Sequence, residues 1–570
     1  MTKHIVIIGG GITGLAAAYL LERAKRAGVD CSYTLLERDT RVGGKVAGEY
    51  VQDPQGGGRY IIDGGPDCFS AHKAGARRMT TLLGCEDDWL PSNEAKKKVY
   101  IYRDNHLHEL PAGFRMFVPT QLKPLLTTKL LSAAGKRDML RELTLSRRDW
   151  AATGQSACGS GDARRDESLE SFVVRRFGRE VLDYLAEPFI GGVHASDPAD
   201  MSLAATFPQY LDLEQQYGSV IRGTRAAASA RAAAAAAAKG HTNGQTPQKN
   251  IWGNTVFASY KQGMHELTDA IAQQVAAHIH TGVKVTRLQR TSDGSYQLEI
   301  EHETTSSPYH RTAAAGAVDS LAGDGGGERS TQSVYCGILA KQQQVLPSTL
   351  QADAVIIATE SFAAAQLTCD IDPELSAAYA GIPNLSSATL SFAFCESDLP
   401  QGRADGFGVL VPEIEKRDLL AASWSSTKWP GRAPDGKILI RGFAGTPKNQ
   451  AIMDASDEQL IATVLDELCQ VMNIPQKAQP LFARLYRWTL GMSQYKMGHL
   501  DRVQTIEART AATRGLACAG GCLRGVGIPN CIDGGEAAAR KILAEFDLHY
   551  HDDQTATVGR STDTKNSNGD

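Results

Sequence analysis

The sequence predicts an α/β chain (α+β overall) with more than one folded region. Three observations carry that expectation. A short β-branched run, Ile5 to Ile8, passes through a glycine turn into a helical pattern. The same strand, glycine turn and helix return near the far end, over residues 514–545. Between them, residues 385–445 hold several β-rich or alternating stretches suited to an antiparallel sheet. At 570 residues the chain exceeds what one ordinary core can organise.

The elements follow in order. After the first turn, Leu15, Ala18, Tyr19 and Leu21 mark a helix, and Tyr33 to Leu36 form a second apolar run ending at Glu37, which completes a βαβ unit. Gln262 to His278 reads as a helix, GVKVTRLQR after it as a strand, and Ala354 to Ala358 as another strand. ATLSFAF, FGVLVP, AASWSS and ILIRGF are the strands of the 385–445 stretch, and 457–472 returns to helix. Three stretches read as insertions or tails. Residues 224–250 carry the alanine run Ala232 to Ala238, a good helix former without a large apolar face, and are expected to be a mobile surface insertion. Residues 303–333 are rich in Ser, Thr, Gly and Ala and are expected to be disordered, as is the polar tail 549–570.

Composition narrows the function. Hydrophobic residues make up 42% and charged residues 22%, ordinary for a soluble globular protein, and the net charge is -4, so no basic excess points to nucleic acid. The 11 cysteines include no C-x-x-C pair, which predicts no metal site and reduced thiols in a cytoplasmic protein. No signal peptide and no uninterrupted apolar stretch of about 18 residues are present, so no transmembrane helix is expected. Peripheral attachment at the inner face of the membrane stays open.

Gly9-Gly10-Gly11-Ile12-Thr13-Gly14 fits G-x-G-x-x-G, directly after a strand and opening a helix. Such glycines permit a tight turn, close approach of backbone to a pyrophosphate, and close helix–strand packing. Glu37, at the end of the second strand, stands where a carboxylate accepts from ribose hydroxyls. Glu37-Arg38-x-x-Arg41-Val42-Gly43-Gly44-Lys45 adds a second glycine pair and cations able to meet phosphate or flavin oxygens, which favours FAD over NAD.

These segments, with Asp63-Gly64-Gly65-Pro66-Asp67, resemble the flavin amine oxidase superfamily, and further blocks are similar to the porphyrinogen oxidases of haem biosynthesis. The blocks are GGPDCFSAHK (Gly64 to Lys73), LPAGFRMFVPT (Leu110 to Thr120), EPFIGGVHASDPADMSLAATFPQ (Glu187 to Gln209), WTLGMSQYKMGH (Trp488 to His499) and RGVGIPNCIDGG (Arg524 to Gly535). They run from residue 5 to about 545. Two departures stand out: Asn530 replaces the usual Asp, and Arg524-Gly525 stands where many relatives carry an acidic residue before glycine.

The resemblance implies a Rossmann-like FAD-binding domain assembled from 1–89, 251–370 and 485–548. It also implies a helical domain facing substrate and membrane at 90–223, and a mixed-sheet substrate domain at 371–484. FAD contacts are implied at Gly9, Gly10, Gly11, Ile12, Thr13, Gly14, Glu37, Arg38, Lys45, Gly65, Pro66, Asp67, Cys68, Val285, Trp488, Val526, Gly527 and Ile528. The implied reaction takes six electrons and six protons from a porphyrinogen in three flavin cycles, with O2 as acceptor. No Ser/His/Asp or Cys/His arrangement announces itself, which fits chemistry carried by the flavin. Leu410 and Trp429 match pocket-lining positions, with plain core packing the other reading. Arg115 and Lys73 match positions suited to substrate propionates, and Asp67 either accepts a pyrrole proton or caps a turn. Lys73, together with the likeness to Gram-positive-type enzymes, favours coproporphyrinogen III; protoporphyrinogen IX stays open. So do oligomeric state and contact with the next haem-pathway enzyme. Amine oxidase and carotenoid desaturase activities are the more distant alternatives, and the 187–209 block argues against both.

Overall fold

A computed structural model describes residues 2–150, 166–240, 252, 255–302, 333–336, 346–402, 404–475 and 477–550. Its N-terminal strand, Lys3–Ile8, is the middle of a five-stranded parallel sheet ordered Ile279–His280, Cys31–Leu36, Lys3–Ile8, Ala354–Ile357, Leu516–Cys518. Side chains alternate across a strand, and here both faces are covered. Ile5, Ile7 and Ile356 enter the cluster under the first helix, Ile12–Arg26, and the closing helix, Ile528–Glu545. Val6, Ile8, Val355 and Ile357 enter a second cluster on the other face. That second face is covered by an antiparallel sheet of Val283–Arg290, Tyr296–His302 and Thr349–Ala352. The first and closing helices nearly touch: a Cβ on Gly535 would lie 2.1 Å from the Thr13 carbonyl oxygen, so only glycine lets the two helices meet.

A seven-stranded sheet is ordered Phe482–Ser493, Asn384–Cys395, Lys437–Ala444, Leu419–Trp424, Gly408–Leu410, Val99–Arg103, His106–Glu109. The helix Asp457–Met472 covers one face. It starts with a Ser456/Gln459 capping box, ends at Asn473 in the left-handed region, and buries Leu460, Ile461, Val464 and Leu468. Residues 99–109, expected within the helical region, form the last two strands of this sheet, with His106–Glu109 at its edge. Gly408–Leu410 pairs in parallel with Val99–Ile101, so the two regions are joined by backbone hydrogen bonds. Along these two strands the alternation divides the side chains. Tyr102 and Val409 turn into the core of the sheet, while Ile101 and Leu410 turn into the helical cluster.

That helical cluster is built by Leu169–Phe177, Glu187–His194, Pro208–Tyr217 and Val220–Gly240. The last of these helices corrects the expected insertion boundary, because residues 224–240 continue a helix started by the buried Val220 and Ile221. The rest of that insertion, residues 241–250, the excursion 303–332 and the tail from 551 lie outside the described residues. Ser333–Cys336, at the end of the excursion, pairs antiparallel with Gly48–Gln52. Among the described residues, no helix is long and apolar enough to cross a membrane.

Candidate functional site

The glycine turn follows the central strand of the parallel sheet. Gly11 is the N-cap of the first helix, in extended conformation and with no side chain bonded to the first-turn N–H groups. A Cβ on Gly11 would meet no protein atom within 4 Å, whereas one on Gly14 would lie 1.9 Å from the Gly9 carbonyl oxygen. One glycine therefore faces an open cradle and the other sets how tightly the helix folds back on the turn. The second glycine pair closes over the first: Gly43 N–H donates to the Gly10 carbonyl at 2.8 Å, and a Cβ on Gly44 would sit 3.0 Å from Gly11 Cα. Arg41 is engaged within its own loop, donating to the carbonyls of Val42 (3.1 Å) and Gly44 (2.6 Å). The closing helix also begins on a glycine, Gly527, with no side-chain cap. The free N–H groups and the space at Gly11 fit the diphosphate of a dinucleotide.

Glu37 stands at one side of this cradle. Its Oε2 accepts from Gly10 N–H at 2.6 Å and its Oε1 from Asp39 N–H at 2.7 Å. Burial pushes its carboxyl above the ordinary range, and these two N–H groups oppose the shift. The chain returning at 282–283 is bonded to the same corner, Val283 N–H to the Glu37 carbonyl and Gly282 N–H to the Asp39 carbonyl, both at 2.9 Å. Val285 follows two residues on, beside a bulge in its strand, so Glu37, Arg38 and Val285 share one corner. Lys45 is paired with Glu360, Nζ to Oε1 2.6 Å.

The Gly64–Cys68 segment lies against Lys45. A Cβ on Gly65 would be 1.7 Å from the Lys45 carbonyl oxygen, so this crossing also requires glycine. The Gly64 carbonyl accepts from the Trp488 indole at 3.1 Å and from the Thr389 hydroxyl, and the Gly65 carbonyl accepts from Arg441. Asp67 Oδ2 accepts from Lys428 Nζ at 3.1 Å and from the Trp429 indole at 3.0 Å. Burial disfavours its ionisation, yet Lys428, Arg441 and the indole outweigh burial and hold the carboxyl well below the carboxylate range. Burial, with Asp67 beside it, pushes the Cys68 thiol up to about 12.

Two open readings narrow here. A carboxylate held in this way is a weak base, which favours a fixed charge over a proton acceptor among the roles open to Asp67. Trp429 is fully buried and spends its indole N–H on Asp67, in keeping with the core-packing reading of that residue. Leu410 is half-buried, at the junction of the seven-stranded sheet and the helical cluster.

The two expected propionate cations lie on different elements. Arg115 is exposed on the short strand Phe114–Arg115, which pairs with Val118–Pro119 next to the helical cluster. Burial raises the Tyr210 phenol, and the charge of Arg115 opposes that shift. Lys73 is the exposed N-cap of helix Ala74–Leu83, and its Nζ donates to Asn530 Oδ1 at 2.5 Å, at the start of the closing helix. Among the described residues, no group of three or more His, Cys, Asp or Glu side chains could hold a metal.

Sequence reasoning missed Lys428, Arg441, Glu360 and Tyr486. Tyr486 packs its ring on Gly64 and bonds Glu49 Oε1 at 2.9 Å. For Arg441 a signal existed, since a lone cation inside the apolar strand ILIRGFA invites the question of what it faces.

Comparison with known proteins bears on this arrangement. The family described as flavin containing amine oxidoreductase matches residues 12–318 and 329–543. The chain is similar to the coproporphyrinogen III oxidase of Bacillus subtilis (strain 168), 31% identical over 544 residues, covering 95% of this chain and 98% of that one. It is also similar to the chloroplastic protoporphyrinogen oxidase 1 of Arabidopsis thaliana, 25% identical, covering 95% and 88%. Among solved structures, a protein from Exiguobacterium sp. 255-15, crystallised as a candidate protoporphyrinogen oxidase, shares the fold. Its TM-score is 0.71 at 24% identity, covering 96% of this chain and 99% of that one.

Proposed function

The chain belongs to the flavin containing amine oxidoreductase family, with FAD as its cofactor, and from that premise we propose that it oxidises coproporphyrinogen III to coproporphyrin III in haem biosynthesis, with O2 as the electron acceptor. The observation that carries this reading is the end-to-end likeness to the Bacillus subtilis coproporphyrinogen III oxidase. When bound, FAD supplies the two-electron acceptor that three successive cycles require.

The remaining work falls to the protein. Gly9 to Gly14 and Val526 to Ile528 present two uncapped helix starts to the diphosphate. Glu37, Arg38 and Val285 hold the adenosine end, while Lys45, Gly65 to Cys68 and Trp488 frame the ring. The macrocycle lies between the seven-stranded sheet and the helical cluster, where Leu410 supplies apolar wall. Arg115 and Lys73 bind propionates at the rim. Four propionates on coproporphyrinogen III, against two on protoporphyrinogen IX, make these cations more valuable for the former. With Asp67 held as an anion and Cys68 as a neutral thiol, pyrrole protons leave to water. The enzyme works in the cytoplasm, with any membrane contact at the surface.

The test is an assay of FAD-loaded enzyme with each porphyrinogen, mixed without oxygen and followed by porphyrin fluorescence once O2 is admitted. A higher kcat/KM for coproporphyrinogen III is expected. A preference for protoporphyrinogen IX would overturn the substrate assignment, and inactivity on both would overturn the reaction.

A further inference from the structure

The Gly64–Asp67 segment is ringed by buried charges that do not balance. Three are cations: Lys428, Arg432 and Arg441, exposed by 9%, 1% and 3%. Two are carboxylates, the buried Asp63 and the largely buried Asp67. Asp63 is taken by Arg432 at 3.3 Å and by Met264 N–H at 2.7 Å, and Asp67 by Lys428 and Trp429. Arg441 is left over. It donates to the Gly65 carbonyl and lies over the Phe443 ring at 4.8 Å. Among the described residues, no carboxylate forms an ion pair with it, and its Nε is buried with no hydrogen-bond partner. The neighbouring Arg484 is paired with Glu49 and does not change the count. A buried cation without a counter-ion makes its surroundings favour the arrival of one negative charge.

The place of Arg441 says which ligand brings that charge. It connects to the dinucleotide cradle through touching backbone: Gly44 lies on Gly11, the Lys45 carbonyl on Gly65, and the Gly65 carbonyl on Arg441. We propose that Arg441 is the fixed cation that receives the negative charge the FAD ring gains on reduction, and that it thereby sets the cofactor's potential. A hydride leaving a substrate C–H carries two electrons and one proton to the ring, which gains one negative charge, and the substrate N–H proton goes to solvent. The Arg441 guanidinium stabilises the ring only after that transfer, because the oxidised ring is neutral. The proposal rests on FAD being seated as described under Proposed function.

The experiment is a dye-coupled reductive titration of FAD-loaded wild-type, Arg441→Gln, Arg441→Lys and Asp67→Asn proteins, with flavin content measured for each. Arg441→Gln should lower the two-electron reduction constant at least about tenfold, or about 30 mV. Arg441→Lys should restore most of it, and Asp67→Asn should shift it upward, since one anion is removed. If Arg441→Gln holds its flavin at an unchanged potential, the proposal is overturned. If that variant loses flavin, Asp67→Asn decides: the wild-type potential overturns the proposal, and an upward shift supports it. A wild-type protein that takes up no FAD would instead strike the underlying reading.

Discussion

Replacing Gly11 by alanine separates the cofactor role of the glycine turn from its structural role, with Gly14→Ala as the control. The Cβ at residue 11 would meet no protein atom within 4 Å, and the backbone there is extended, so the fold should lose only the N-cap difference, about 0.5–1 kcal/mol. The same methyl occupies the cradle. If it displaces the diphosphate from two backbone N–H groups, each worth about 1.5–3 kcal/mol to a charged acceptor, FAD binding weakens by about 3–6 kcal/mol, or two to four decades. At residue 14 the Cβ would lie 1.9 Å from the Gly9 carbonyl oxygen, a backbone overlap that no rotamer relieves, so the fold itself should lose about 3 kcal/mol or more. Urea unfolding of flavin-stripped protein, paired with an FAD titration, measures both quantities. Gly11→Ala with wild-type FAD affinity would refute the cradle, and Gly11→Ala unfolding as early as Gly14→Ala would refute the separation.

Three further outcomes are expected. Arg115→Ala should raise KM for coproporphyrinogen III about ten- to hundredfold, with kcat changed far less, because a charge-assisted bond at the rim serves binding alone; steady-state kinetics with an unchanged KM would remove Arg115 from the site. Glu187 is pushed up to about 7 by burial, and its Oε2 accepts from Glu413 N–H at 3.1 Å. An acid with a raised folded pKa favours the folded state below pH 4.5 and loses that contribution as pH rises to about 7, so Glu187→Gln should gain about 3 kcal/mol at pH 8 and under about 1 kcal/mol at pH 5. Denaturant curves at the two pH values check this, and equal shifts at both would contradict it. Glu142 is fully buried, pairs with Arg176, and accepts from Ser219 Oγ (2.6 Å) and Val220 N–H (2.7 Å) at the start of a helix. Glu142→Ala should therefore cost about 3–5 kcal/mol, and a loss under about 1 kcal/mol in urea would show that this cluster does not hold the helical region.

What could be read from the sequence follows from where the information is local. The βαβ unit announces itself through an apolar run, glycines and a helical period within some thirty residues, and Asp457–Met472 through its period and polar ends. The pairing of Val99–Ile101 with Gly408–Leu410 has no such signature, since it joins strands about 300 residues apart and each short run is equally consistent with a local hairpin. The helix over residues 224–240 escaped because alanine carries propensity without amphipathic contrast, and its anchor lies in Val220 and Ile221 before the run. The glycine cradle and Glu37 were legible as a motif. The Asp67–Lys428–Trp429 contact and an Arg441 without an ion-pair partner among the described residues were not, because charge balance in a buried cluster exists only once the chain has brought residues 63–67 beside 428–441. That arrangement gives Asp67 a cation and an indole N–H as partners, which no local pattern announces.

Anaerobic mixing of FAD-loaded enzyme with coproporphyrinogen III asks whether a porphyrinogen hands electrons to the bound flavin. The flavin absorbance is expected to bleach on mixing and to return when O2 is admitted, with porphyrin fluorescence appearing in step. A flavin that stays oxidised in the presence of coproporphyrinogen III, yet bleaches with a simple amine, would contradict the proposed reaction.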